Sequence, residues 1–375
     1  MQINFYQDKL YQFWRNIDKK ILISFILLFL LGLFFSFSST SSLAGERLNK
    51  DYYHFFLKHL IFVFISLSML IVISFIELNL LKKSIIPIFL FLVLVLILVP
   101  LFGIEVKGSK RWLSLYFFRF QPIEFIKPFL MLMTAKILTH NEDRISNISF
   151  FLSFIVLTII VILLVNQPDL GQSILLIGTW ISVVFVSGIS LIYIISFFGF
   201  SLLSIVSLVL IFPEKFGYIT KRVTSFLDPS KGDSFQSQKA LEAIKQGGIK
   251  GQGMGEGILK DNVPEAHTDY IIAVIAEEFG SIISIMIIMI FLYISFRVIK
   301  ITISEKDKFI KISLCGLISL LVFQTFIHIG VNTSILPTTG MTLPFLSYGG
   351  SSLFGSSILA GLILNFTKKR FDYET

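Results

Sequence analysis

The chain has 375 residues, of which 54% are hydrophobic and only 15% charged, and its formal net charge is +8. This composition excludes a soluble globular protein, and the single cysteine, Cys315, excludes a disulfide framework and a cysteine-rich metal site. The basic residues are dispersed over several loops, so the charge gives no indication of a nucleic-acid partner.

Apolar runs of about 20 residues, the length that crosses a hydrocarbon core of about 30 Å, recur along the chain. Backbone in lipid must close its own hydrogen bonds, so each run is predicted to be a helix. The fold class is all-α: a single polytopic transmembrane domain, residues 1–375, with about ten membrane helices and a large outer loop between helices seven and eight. A polar N-terminus, residues 1–20, precedes span one at about 21–42, read as retained because it lacks an A-x-A cleavage pattern. Spans two and three are expected at about 55–77 and 84–102, with Lys82 and Lys83 between them. A polar loop, Glu105–Gln121, leads to span four at about 122–139. Inside that span Glu124 and Lys127 lie three apart and share a helix face. Charge within a span is costly unless paired or functional, and the two are read as a structural ion pair.

Span five, about 148–165, ends at the tight break Asn166-Gln167-Pro168-Asp169, where Asp169 either caps span six or faces an outer cavity. Spans six and seven are expected at about 170–187 and 191–212. The long polar loop follows, residues 213–269. Asp233, with Gln236 three residues on, resembles a helix start, and Ala240, Leu241 and Ile244 then share a face. A short amphipathic helix on the outer membrane surface and an ordinary solvated helix fit equally well. The glycine-dense run Gly247–Gly257 matches neither a Walker A loop nor a Rossmann fingerprint. It reads as a hinge, ahead of a backbone approach to pyrophosphate.

The loop closes on Val263-Pro264-Glu265-Ala266-His267-Thr268-Asp269, two carboxylates and an imidazole at the point where the chain re-enters the bilayer. Such groups can meet a lipid head group while touching water, and this stretch is the candidate active site. Span eight, about 270–298, carries Glu277 and Glu278, placed about 12 Å deeper than Asp269 by helical rise. One is expected to pair with a buried base and the other to face a cavity. Span nine, about 309–331, is followed by an irregular stretch, Asn332–Gly350, whose amides and hydroxyls, including Ser347 and Ser351, suit an anionic head group. Span ten, about 351–366, ends in a basic tail, residues 367–375. Both termini, the 300–308 loop and Lys82-Lys83 then share one face, which the positive-inside rule makes cytoplasmic.

Several of these stretches together resemble the SEDS family (shape, elongation, division and sporulation), the RodA and FtsW membrane proteins. They are Lys110-Arg111-Trp112-Leu113, Phe120-Gln121-Pro122, Gln167-Pro168-Asp169-Leu170-Gly171, Phe226-Leu227-Asp228-Pro229, Pro264–Asp269 and Leu343–Ser352. They fall in family order across most of the chain. The alanine after Pro264-Glu265, the Gly253–Gly257 run and Leu336–Gly340 look like the FtsW, or division, branch more than the elongation branch. Ile123 stands where the family usually has serine, and Phe235 where it usually has tyrosine.

The resemblance implies a peptidoglycan glycosyltransferase that polymerises lipid II, a disaccharide-pentapeptide on undecaprenyl pyrophosphate. It would act at the outer face of the bacterial inner membrane, at the division septum, with a class B penicillin-binding transpeptidase and other division proteins as partners. On this reading Asp269 is the general base for the acceptor hydroxyl, with Glu265 its local competitor. Lys110, Arg111, Lys221 and Arg222 are candidates for the leaving pyrophosphate, with His267, Asp169, Ser347 and Ser351 as further substrate contacts. The ligand spacing at Asp269, Glu265 and His267 does not establish a divalent cation, magnesium or manganese, and no other cofactor is implied. A lipid II flippase, an elongation-type polymerase and a non-catalytic scaffold are the alternatives.

Overall fold

The structure, a computed structural model, describes residues 11–39, 54–106, 108–115, 118–140, 147–228, 235–263 and 265–369. Ten helices coincide with the ten expected apolar runs. They are α1 (Lys19–Ser39), α2 (His54–Phe75), α3 (Leu78–Phe102), α4 (Pro122–Leu138), α5 (Asn147–Asn166), α6 (Leu170–Val186), α7 (Leu191–Ile211), α11 (Ile271–Ser304), α12 (Lys308–Asn332) and α13 (Gly350–Phe366). Among the described residues six of them, α1, α2, α3, α5, α11 and α12, are long and apolar enough to cross a membrane, and α6 and α13 are shorter apolar helices.

The arrangement separates a polar-bearing centre from a lipid-facing rim. Every residue of α13 from Ser351 to Phe366 is buried, and α4 buries two of its charges, Glu124 and Lys127. By contrast α3 leaves Leu90, Phe91, Leu94 and Leu101 more than half exposed, as a helix in lipid does. Lipid supplies no hydrophobic drive between helices, so close approach rests on small residues. A methyl group on Gly361 would fall 2.9 Å from the Leu70 carbonyl oxygen of α2, and one on Gly355 2.6 Å from that of Glu124. On the basic side, Lys82 at the start of α3 meets Asp307 at 2.9 Å, and Asp307 caps α12 through the Ile310 amide. Burial pushes the Asp307 carboxyl up, but the Lys82 bond and the helix amides outweigh it and hold it below its ordinary value.

Two loop readings are corrected. The Glu105–Gln121 stretch is an antiparallel meander of β1 (Ile104–Val106), β2 (Ser109–Leu115) and β3 (Phe118–Phe120). Gly108, at φ 74, makes the first turn, and Leu113 pairs with Phe120 across the second. Trp112, Leu113, Leu115, Phe118 and Phe120 supply the aromatic and apolar content that strands favour. The long polar segment is also mostly helical: α8 (Pro213–Leu227) starts on a proline, which suits a first helical turn, and α9 (Phe235–Gly247) and α10 (Leu259–Asn262) follow. The expected cap Asp233 lies outside the described residues. Ala240, Ala243 and Gly247 form the buried face of α9, which lies against α11 rather than on a lipid surface. A stripe of small residues allows that approach, and Leu241 and Ile244 flank it.

Candidate active site

Residues 265–269 form one tight turn ahead of α11. The Glu265 carbonyl accepts from the Thr268 and Asp269 amides at 3.0 Å each and from Tyr270 at 3.4 Å. Tyr270, not Asp269, occupies the N-cap of α11, and no side chain caps it. The turn is docked on the irregular 339–348 stretch. The Tyr348 amide donates to the His267 carbonyl at 3.1 Å, and the Ser347 hydroxyl donates to the Thr268 carbonyl at 2.6 Å. Asn332 of α12 donates to the Asp269 carbonyl at 3.0 Å. Gly340 lies so close that an added methyl would stand 3.5 Å from Asp269 Oδ2. The stretch itself is held by Phe345, fully buried between Phe25 and Phe29 of α1.

Side chains around the turn are fixed from several elements. Gln236 of α9 donates to Glu265 Oε2 at 3.2 Å. The His267 ring meets the Tyr348 ring edge-on at 5.5 Å, and His59 of α2 stacks on Tyr348 at 5.6 Å. Burial lowers the His267 imidazole below its ordinary value, against the raising effect of Glu265. Burial also pushes the Tyr348 phenol up to about 12. Both rings are therefore neutral at physiological pH, and Asp269 and Glu265 are the carboxylates of this turn.

A second cluster gathers at the N-terminal end of α6. Arg111 of β2 donates from Nε to the Gln167 carbonyl at 3.0 Å and from Nη2 to the Pro168 carbonyl, and its Nε is 3.9 Å from Asp169 Oδ2. Asp169 caps α6 through the Gln172 amide at 3.5 Å. Burial pushes its carboxyl above the ordinary value, with Arg111 pulling back and Arg222 adding a smaller pull. Arg222 of α8 feels both Arg111 and Asp169. It is brought there because Tyr218, one turn earlier, donates its hydroxyl to the Val165 carbonyl at 3.1 Å. Two guanidinium groups thus act electrostatically on one buried carboxylate.

From this cluster a buried polar chain runs inward. Gln172 donates to Glu124 Oε1 at 2.8 Å, Glu124 Oε2 meets Lys127 at 2.8 Å, and Lys127 donates to Gln324 at 3.0 Å. Gln324 donates in turn to the Thr342 carbonyl at 3.1 Å. A cavity of about 10 Å³ beside Glu124, Lys127, Gln324 and Pro344 has room for about one water.

The structure redistributes the expected site residues. Asp269, Glu265 and His267 share one turn, and Arg111, Arg222 and Asp169 share one cluster. Lys110, the neighbour of Arg111 on a strand whose side chains alternate, is exposed, and so is Lys221. Neither joins the pair of guanidinium groups. The hydroxyls of Ser347 and Ser351 are taken by backbone: Ser347 also accepts from the Leu343 amide at 2.8 Å, and Ser351 donates to the Arg119 carbonyl at 2.7 Å. They shape the stretch instead of facing a head group. Of Glu277 and Glu278, one pairs with a buried base as expected, but the other does not face a cavity. Glu277 accepts two loop amides, and Glu278 pairs with Lys260 at 2.8 Å. Among the described residues no three His, Cys, Asp or Glu side chains converge as a metal site requires. Gln172, Gln324, Asn332 and Tyr218 were not singled out from the sequence. The signal for the two glutamines was there, since amides inside apolar spans are costly unless bonded.

The family model described as Cell cycle protein, that of FtsW, RodA and SpoVE, matches residues 18–371. A Caulobacter vibrioides protein named "Probable peptidoglycan glycosyltransferase FtsW" is 33% identical over 95% of this chain and 90% of its own length. A Haemophilus influenzae protein of the same name is 34% identical over the same shares. Among solved structures, a chain from a peptidoglycan synthase complex that coordinates polymerization and crosslinking superposes with a TM-score of 0.75 at 24% identity, covering 94% of this chain and 97% of that one. The Thermus thermophilus rod shape determining protein RodA does so with a TM-score of 0.68 at 22% identity, covering 94% and 96%.

Proposed function

The chain belongs to the FtsW, RodA and SpoVE family of cell cycle proteins, and from that premise we propose that it polymerises lipid II with Asp269 as general base. It is a peptidoglycan glycosyltransferase, as its relatives are named, and a multi-pass bacterial membrane protein. The division septum is its place of action, and a transpeptidase that crosslinks the product is its partner. The neighbour from a complex coordinating polymerization and crosslinking makes such a pairing apt.

One observation carries the chemistry. The three residues 339–341 lie between the two charged clusters. Thr339 packs on Gly171, beside Asp169 and the guanidinium pair, and Gly340 lies against Asp269. With consecutive Cα atoms about 3.8 Å apart, the base and the cationic cluster are on the order of 10 Å from each other, the scale of one sugar and its diphosphate. Asp269 takes the proton of the acceptor hydroxyl as that oxygen attacks the anomeric carbon. The bond to pyrophosphate breaks in the same displacement, so the configuration inverts. Arg111 and Arg222 stabilise the charge that gathers on the departing pyrophosphate, and Asp169 keeps the two guanidinium groups together. The inward polar chain is linked by hydrogen bonds from Gln172 to Thr342, and the cavity beside it has room for about one water, far less than a head group needs.

The direct test is incubation of the purified protein, alone and with its transpeptidase, with lipid II. Glycan strands support a polymerase, whereas transfer of lipid II across vesicles without any polymer would mean a flippase. Arg222→Gln removes one charged hydrogen-bond donor, worth about 1.5–3 kcal/mol, so kcat/KM should fall about 10- to 100-fold. Lys221→Gln, altering an exposed neighbour, should stay within about twofold. Equal effects at the two positions would dissolve the cluster. Orientation is tested separately. An enzyme reporter active only outside the cytoplasm should work when fused at Gly232 and be silent at Thr375, and the reverse pattern would put the site on the wrong side of the membrane.

A further inference from the structure

Helix α11 is continuous in outline but consists of two bodies. Gly280 sits at φ 84, ψ 169, a region that essentially only glycine occupies. It ends a first body, residues 271–279, about 13 Å long by helical rise, and leaves residues 281–304, about 36 Å, enough to span the bilayer alone. Asp269 stands two residues before the first body. The far end of that body is held by the glycine-dense loop. The carbonyls of Glu277 and Glu278, which the break deprives of helical partners, accept from the Gln252 and Gly253 amides at 2.9 and 3.0 Å, and the Ser281 amide donates to the Gly248 carbonyl at 2.9 Å. An added methyl on Gly247 would lie 2.0 Å from the Ala276 oxygen, and one on Gly251 2.3 Å from that of Glu278. The run therefore serves backbone-to-backbone packing, which replaces the expected hinge.

Side chains complete the clamp. Glu277 accepts from the Ile258 and Leu259 amides at 2.9 and 3.1 Å. Lys260 bridges Glu278 Oε1 and the Gly255 carbonyl, each at 2.8 Å. The Ser38 hydroxyl of α1 donates to the other oxygen of Glu278. The side chain of Lys260 is 9% exposed and that of Glu278 is not exposed at all.

We propose that Glu277, Glu278 and Lys260 are positioning residues for the reaction: they set the Asp269 carboxylate by fixing the far end of a rigid nine-residue lever that Gly280 uncouples from the membrane span. The proposal rests on the reading of Asp269 as general base. Swinging a 13 Å lever by about 5° moves its near end about 1 Å, and a misplacement of that size can cost about 100-fold in rate. Substrate is held by other elements, so the effect falls on kcat and not on KM.

The test uses the full chain in detergent or nanodiscs with Glu278→Gln, Lys260→Met and the exchange Glu278→Lys with Lys260→Glu. Each single variant should lower kcat about 10- to 100-fold with KM within about twofold, and the exchange should recover a large part of the loss. Hydrogen exchange supplies a readout apart from activity: amides of residues 265–279 should exchange faster in the single variants while those of 282–304 stay as in the parent. Faster exchange through 282–304 would mean general loosening and overturn the lever, as would unchanged exchange in 265–279 or a loss confined to KM. Asp269→Asn, run beside them, separates the two readings. If it keeps its activity the base assignment fails, while the exchange pattern still decides whether residues 271–279 move as a unit.

Discussion

Asp269→Asn should insert, fold and bind a transpeptidase as the parent chain does, and polymerise lipid II at least about 100-fold more slowly, the lower end of what a general base contributes. Asparagine keeps the shape of the side chain and cannot take the acceptor proton. A purely structural Asp269 would cap α11, a role asparagine fills almost as well. The geometry speaks for chemistry, since the N-cap position belongs to Tyr270 and the Asp269 carboxylate lies beside Gly340, where an added methyl would stand in ordinary van der Waals contact with Oδ2, next to the stretch that leads to the cationic cluster. Glu265→Gln is the control from the same turn. Its carboxylate is engaged by Gln236 of α9, so its loss should cost less than that of Asp269. Near-normal glycan synthesis by Asp269→Asn would move the search for the base to Glu265 and Asp169.

The sequence revealed the parts of this molecule that are dictated by lipid. Ten apolar runs could only be helices, and all ten runs are helical. It revealed the residue types of the site as well, because charges beside a span stand out against so apolar a background. What it could not convey is which atoms meet across distance in the chain. The strands at 104–120 were hidden by Lys110, Arg111 and Arg119, whose charges made a β-meander look like an ordinary polar loop. The glycines of 247–257 carry no mark that separates flexibility from close contact, and here Gly247 and Gly251 are chosen for their lack of a side chain. Arg222 could be placed beside Asp169 only once α8 was known to fold back and anchor through Tyr218. The serines at 347 and 351 looked like ligand donors because a sequence does not show that backbone has already claimed them.

Lys127→Met should destabilise the protein by roughly 3–5 kcal/mol, the cost of stranding one member of a buried ion pair. Glu124 and Lys127 are only 3% and 2% exposed, and their 2.8 Å contact lies in the middle of the bundle. Lys127→Met leaves the Glu124 carboxylate with Gln172 alone, and Glu124→Gln leaves the Lys127 ammonium with Gln324 alone. One neutral amide does not replace a full counter-charge, so each variant should melt well below the parent in detergent and lose activity in proportion. The charge exchange Glu124→Lys with Lys127→Glu should regain part of the loss for a reason visible in the flanking groups. Gln172 and Gln324 can each present oxygen or nitrogen by turning the amide over, so a lysine at 124 and a glutamate at 127 both find a partner. Recovery stays partial because glutamate and lysine differ in length and α13 packs closely on this turn, where a methyl on Gly355 would fall 2.6 Å from the Glu124 carbonyl oxygen, which leaves little slack. The neutral pair Glu124→Gln with Lys127→Met should be more stable than either single variant, since no lone charge remains buried. Should either single variant melt with the parent, the pair stores no stability, and the polar chain from Gln172 to Thr342 has to be explained by its link between the cationic cluster and the 339–342 stretch.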